Sequence, residues 1–160
     1  MAHSSIVVAN RFIELAERSG QKLTNMQLQK LVFLAHGVAL ALTDNALTFH
    51  NIHAWQWGPV IPQLYKRFSA YGSAPITAPA ACQDEPIKDG STEAQIVNLV
   101  WEKFGGFSGP KLSAITHEPG SPWDITWNTD KWGIIPTALI QDFYKKQLNV
   151  AKEQTESQSV

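Results

Sequence analysis

One segment limits the possible folds more than any other. Thr24 and Gln27 stand three residues apart, ahead of Leu28, Leu31, Val32, Ala35, Val38, Ala39 and Leu42. The Thr–Gln pair forms a capping box, in which each side chain satisfies a backbone N–H left open by the first helical turn. The apolar residues recur at helical spacing and predict a long helix with a strongly apolar stripe. Gln27, Gln29, Lys30 and His36 lie on the same helix and are expected on a solvated face. Before it, Ser4 or Ser5 caps a first helix with Ile6, Ala9, Phe12, Ile13 and Ala16 on its buried side. Gly20 suits a left-handed stop. The two helices predict a helical hairpin from residue 6 to about residue 42.

The pattern changes from Leu47 to Trp57, where aromatic, β-branched and histidine residues predict an extended or short β segment ending at Gly58-Pro59. Pro59 and Pro62 are read as opening a third helix that carries Ile61, Leu64, Tyr65 and Phe68 and ends at Gly72. Residues 73–91, with Pro75, Pro79 and Pro86, read as a long loop of mobile or functional character, with room for a short strand. Thr92 with Gln95 reads as a second capping box, ahead of Ile96, Val97, Val100 and Phe104. Ser108 caps a short helix that ends before Pro119. Ser121-Pro122 starts a short tryptophan-rich turn, and Ile135-Pro136 leads into a last helix. The expected fold is mainly α: a compact bundle of about six helices with a small β element around residues 47–57. Residues 1–148 form one domain, and residues 149–160 a polar, disordered tail.

Charge and composition narrow the function classes. Thirteen basic residues face 14 acidic ones, for a formal net charge of -1. Proteins that live on the phosphate backbone carry a basic surplus, so nucleic acid is an unfavoured partner. A helix-turn-helix reader would place only Lys30 as a basic group early on its second helix. The lone Cys82 cannot form an internal disulfide, which fits a reducing compartment. The N-terminus shows no basic segment leading into an apolar one, and no apolar run is read as approaching bilayer-spanning length. A soluble, cytoplasmic protein is expected.

Catalytic and metal motifs are mostly missing. Among His3, His36, His50, His53 and His117, only His50 and His53 form an H-x-x-H pair, and an extended chain points them to opposite faces. There is no cysteine pair and no H-E-x-x-H. Ser108 follows Gly106-Phe107, but Pro110 stands where a nucleophile elbow needs glycine, so Ser108 reads as a cap. Neither phosphate-binding glycine pattern occurs. His117 reads as a structural histidine bonded to the last carbonyls of its helix. No catalytic residue, metal or cofactor is expected. The six tryptophans are read first as core and second as interface anchors.

Four blocks in order resemble one family. They are Ala9-Asn10-Arg11-Phe12-Ile13; Met26-Gln27-Leu28-Gln29-Lys30-Leu31 with Ala35-His36-Gly37; Ala54-Trp55-Gln56-Trp57-Gly58-Pro59-Val60; and Ser113-Ala114-Ile115-Thr116-His117 through Ser121-Pro122-Trp123. Together they resemble the SocA-like, or Panacea, antitoxin domain, also known from GepA-like phage-associated proteins. Ala114-Ile115 departs slightly from the pattern, where polar residues or leucine are usual. The resemblance implies a mainly helical fold and an antitoxin, often prophage-borne, that neutralises a cognate toxin by direct protein–protein binding. One branch of the family implies an alternative, an adaptor delivering the toxin to a ClpXP-type AAA+ protease.

The motif residues Leu28, Gln29, Lys30, Leu31, His36, Gly37, Trp55, Gly58, Pro59, Val60, Thr116, His117, Ser121, Pro122 and Trp123 read as structural. Toxin contacts are then expected elsewhere, on exposed faces and loops. The sites chosen are Trp123, Trp127 and Trp132, with the loop from Ser73 to Gly90. Rival readings are a small hydrolase or transferase using His36, His117 or Cys82, and, behind it, a transcriptional repressor.

Overall fold

The computed structural model describes the backbone of residues 2–158 and the side chains of residues 2–150. The chain runs α1 (Ser5–Arg18), α2 (Asn25–Thr43), β1 (His53–Trp55), β2 (Gly58–Val60), α3 (Pro62–Arg67), a 3-10 turn (Ser69–Tyr71), α4 (Thr92–Phe104), α5 (Gly109–Thr116), α6 (Pro122–Thr129) and α7 (Thr137–Gln158). The mainly helical expectation holds, with seven α-helices among the described residues. The additional helix is α6, which Ser121 caps and Pro122 opens.

Helix α2 is the axis of the fold. Its capping box forms as expected, Thr24 accepting from the Gln27 N–H and Gln27 returning to the Thr24 N–H. Helices α1, α4, α5 and α7 and strand β2 pack around it. Every residue from Leu28 to Gly37 is buried. The expected solvated face is therefore absent at Gln29, Lys30 and His36, which are 1%, 2% and 4% exposed. The expectation about apolar runs also needs correcting. Asn25–Thr43 is long and apolar enough to cross a membrane by length and composition. A helix apolar on nearly all sides is also what a core position demands, and two-thirds of the segment is buried inside this fold.

The core joins Phe12 and Ile13 of α1 to Leu28, Leu31 and Phe33 of α2, to Leu64 and Phe68, and to Val97, Leu112 and Ile140. Each fully buried Leu or Phe side chain contributes about 1.5–3 kcal/mol relative to exposure. At the far side, the Tyr144 ring of α7 lies against Gly37, where any Cβ would overlap it. That close approach explains glycine inside a long helix, a position that otherwise costs stability.

The β element is shorter and later than its expected span of 47–57. β1 and β2 form an antiparallel hairpin in the register His53↔Val60, Ala54↔Pro59, Trp55↔Gly58. Pro59 thus sits in a strand and does not open α3; Pro62 does. The Ala54 N–H and carbonyl pair outward with Gly133 and Trp132. Ala54 opposite Pro59 is therefore a non-hydrogen-bonded pair, and the missing N–H of proline costs the ladder nothing.

Two more expectations change. Ser91, not Thr92, caps α4, accepting from the Ala94 N–H, so the second capping box does not form. The segment 73–91 contains no strand. It is pinned to the body by buried Ile76 and Ile87, by a two-way bond between the Asn10 amide and the Ala80 backbone, and by Arg67 donating to the Ala81 carbonyl. The polar end expected as a tail continues as the helix α7 to Gln158; residues 159 and 160, and side chains from residue 151 on, lie outside the described residues.

Candidate interaction site

The buried polar groups of α2 share one target, the hairpin and its exit. Lys30 Nζ donates to the Pro59 carbonyl at 2.9 Å. The Gln29 amide oxygen accepts from the Ile61 N–H at 2.9 Å, while its nitrogen donates to Asn25 Oδ1 at 2.9 Å. Asn25 Nδ2 donates in turn to the Tyr65 carbonyl at 3.0 Å. Two other helices complete the clamp. Ser113 of α5 donates its hydroxyl to the Trp57 carbonyl, and the Trp123 indole N–H of α6 donates to the Trp55 carbonyl at 2.6 Å. Three alternate hairpin carbonyls, at 55, 57 and 59, are thus each held by a side chain from a different helix. Gly58 adopts φ 122°, and a Cβ there would come within 3.1–3.2 Å of the Lys30 side-chain end. Glycine serves both the turn and the close passage of the lysine.

Around this clamp the aromatic rings form a continuous chain. His117 meets Trp123 edge-on, Trp123 stacks on Trp127, Trp127 meets Trp132, Trp132 meets Trp55, and Trp55 meets Tyr65, with centroids 5.2–6.3 Å apart. The chain starts inside the protein and ends on its surface. Trp123 is 7% exposed, Trp127 half-buried and Trp132 54% exposed. Trp132 also adopts φ 68°. Left-handed backbone costs an L-residue about 1–2 kcal/mol. It is retained where Trp132 and Gly133 pair with Ala54 as a third strand-like edge.

Beside the hairpin lies a groove of about 630 Å³. Met26, Trp55, Trp57 and Tyr65 wall it, Lys30 and Gln29 form its floor, and Gly72, Ser73, Ser108 and Pro110 complete its rim. Trp57, at the turn, is 66% exposed, and Tyr65 and Met26 are 44% and 41% exposed. Burial depresses the Lys30 pKa from its usual 10.5 to about 7. His36, which accepts from the Thr48 N–H, is pushed down to about 4, also by burial.

The sites chosen from sequence divide under this geometry. Trp123 is an anchor, with its ring buried and its N–H committed. Trp132 is on the surface and Trp127 links the two. The loop Ser73–Gly90 reaches the groove only at Ser73. His36, His117 and Cys82 do not converge. His36 is under Thr48, His117 bonds the Ser113 carbonyl at the end of α5 as expected, and Cys82 is exposed beside Asp84. Among the described residues no three His, Cys, Asp or Glu side chains are grouped to hold a metal. The anchoring roles of Gln29, Lys30 and Ser113, and the exposure of Trp57, were not legible in the sequence. The hints were polar residues interrupting an apolar helix ahead of a Gly-Pro turn, and the motif that marked Gln29 and Lys30 as structural.

Fold and site define a class: a small helical scaffold that clamps a short hairpin by its backbone and leaves its aromatic side chains outward. The chain belongs to the Antitoxin SocA-like, Panacea domain family, whose model matches residues 28–124. The match contains the whole hairpin with the anchors Gln29, Lys30, Ser113 and Trp123. The chain is similar to Antitoxin SocA of Caulobacter vibrioides (strain NA1000 / CB15N), 32% identical over 130 residues that cover 76% of this chain and 69% of the relative. No solved structure matches it.

Proposed function

We propose that this protein is an antitoxin that silences its toxin by holding it in a direct complex, and that the hairpin tip with its surrounding rings is the contact surface. Membership of the antitoxin family supports the role. The observation that carries the mechanism is Trp57, two-thirds exposed on a turn whose backbone is fixed by Ser113. A large apolar ring held rigidly in solvent binds with little loss of freedom. Tryptophan and tyrosine are also the residues that dominate binding energy at protein interfaces. Trp132, Tyr65 and Met26 extend the surface. The role is binding and not catalysis, in the cytoplasm, with Cys82 as a free thiol.

Co-expression with the product of the neighbouring reading frame tests this. The neighbour alone should stop growth; this protein should restore growth and co-purify with it. Trp57→Ala should lose both effects while keeping its helical circular dichroism. A harmless neighbour that does not bind would remove the reading's support.

One observation favours the adaptor alternative enough to keep it. A second groove, of about 560 Å³, lies between α2, α4 and α7, with exposed Leu42, Leu99 and Val150. An adaptor needs two faces, one for its cargo and one for the unfoldase. Toxin lifetime separates the readings: a stable but silent toxin supports occlusion, and one that vanishes only when the protease is present supports delivery.

A further inference from the structure

The groove beside the hairpin has one basic group in its lining. Its lining includes Lys30 and no Asp, Glu, His or Arg. An ammonium group has three N–H donors. Among the described residues, Lys30 Nζ has one acceptor, the Pro59 carbonyl, and no carboxylate pairs with it. A buried cation without a counter-ion is costly, and buried charges are ordinarily paired. Lysine at this position therefore places N–H donors beyond the one given to Pro59 at the floor of a groove whose lining holds no acid.

The surroundings favour an anion. Helices α2 and α5 both begin at the groove, through Asn25 and Gly109, so their positive ends add to the charge of Lys30. Trp55, Trp57 and Tyr65 wall the approach with apolar surface, which lowers the local dielectric and strengthens any ion pair formed there. The protein as a whole has a net charge of -1, so this positive point is local and not part of a general basic surface.

We propose that the groove receives an acidic side chain of the partner toxin, an aspartate or glutamate carboxylate that pairs with Lys30 Nζ while apolar neighbours in the same segment lie against Trp57 and Tyr65. This rests on the direct-binding reading above. The depressed pKa of Lys30 agrees with it, since a carboxylate at this position returns the proton that burial makes easy to lose.

The test uses the full chain in complex with its co-expressed neighbour, treated with a water-soluble carbodiimide. That reagent joins an amine and a carboxylate in direct contact, forming an amide with loss of water to the reagent. Peptide mass spectrometry should find Lys30 linked to one Asp or Glu of the partner. Changing that partner residue to Asn or Gln should weaken the complex at least tenfold, as should Lys30→Met in this chain. Circular dichroism and thermal melting check whether Lys30→Met, which also loses the bond to Pro59, still folds; the partner substitution makes the same test without touching this fold. If a complex forms but Lys30 is never linked, and removal of the partner's carboxylates leaves affinity unchanged, the acidic-anchor proposal is overturned and direct binding stands. If no complex forms, direct binding fails and the proposal fails with it.

Discussion

The groove beside the hairpin and the groove between α2, α4 and α7 are similar in size, about 630 and 560 Å³, yet they are held together differently. Beneath the first is a set of hydrogen bonds from Gln29, Lys30, Ser113 and Trp123 to a backbone 29 to 68 residues away in sequence. The second is set by packing, with Tyr144 against Gly37 and Phe33. Among the described residues, polar ties between α7 and α2 appear at its end, where Gln141 meets the Leu40 carbonyl and Asp44, and Lys145 meets Asp44. Packing excludes water but tolerates sliding of similar shapes; directional bonds fix position and orientation. The hairpin side is built to present side chains at a defined angle, and the α7 side to bury surface.

The sharpest way to break this contrast is to cut one large apolar side chain from each side. Trp57→Ala should weaken the toxin complex on the order of a hundredfold, the scale of an interface hot spot of about 2–4 kcal/mol. Leu99→Ala should change it less than threefold. Equal losses in titration calorimetry would mean that the two grooves do not differ in role.

His36 tests the scaffold that both sides share. Its pKa is about 4 in the folded protein against 6.5 ordinarily. Above pH 6.5 neither state is protonated and the fold has its full stability. Between 6.5 and 4 the unfolded chain takes up a proton that the native one refuses, so stability falls as the pH drops, by on the order of 3 kcal/mol. Urea unfolding across that range should show the decline, and His36→Asn, which keeps an acceptor for the Thr48 N–H, should flatten it.

Gly37→Ala should act on the α7 side alone. Overlap with the Tyr144 ring should cost about 2 kcal/mol, a penalty typical of overpacking. Thermal melting should reveal it, while affinity for the toxin stays near wild type. The smallest effect is expected at Ser108, whose hydroxyl caps α5 at the rim of the hairpin groove. Ser108→Ala should cost about 1 kcal/mol of stability. Any loss of binding beyond that would show that the start of α5 takes part in the contact.

Much of this architecture was legible because its signals are local. The capping box at Thr24 and Gln27, the caps at Ser4, Ser108 and Ser121, and the helical spacing of α1, α2 and α4 each lie within a few residues. The hairpin clamp was not legible, because a side chain that bonds a distant backbone carbonyl leaves no mark at the carbonyl's position. Gln29, Lys30 and His36 therefore read as solvated when they are buried. Pro59 misled for a related reason: proline commonly opens helices, and only the pairing of Ala54 outward with Gly133 reveals a strand position that needs no N–H. The tryptophans read first as core, yet of the six only Trp123 is buried, while Trp57 and Trp132 are exposed and Trp55, Trp101 and Trp127 are half-buried. Trp123 and Trp132 are nine residues apart, and one is an anchor while the other lies in solvent.

A carbonyl oxygen is the same in all twenty amino acids. Because Trp123, Ser113 and Lys30 hold residues 55, 57 and 59 by that atom, the holder does not read what is held, much as a chuck grips a shank without regard to the bit. The side chains at Gln56 and Trp57 are free to vary with the shape of whatever must be met, and the grip is unaffected. Two letters at the turn can thus be rewritten without loosening the grip beneath them.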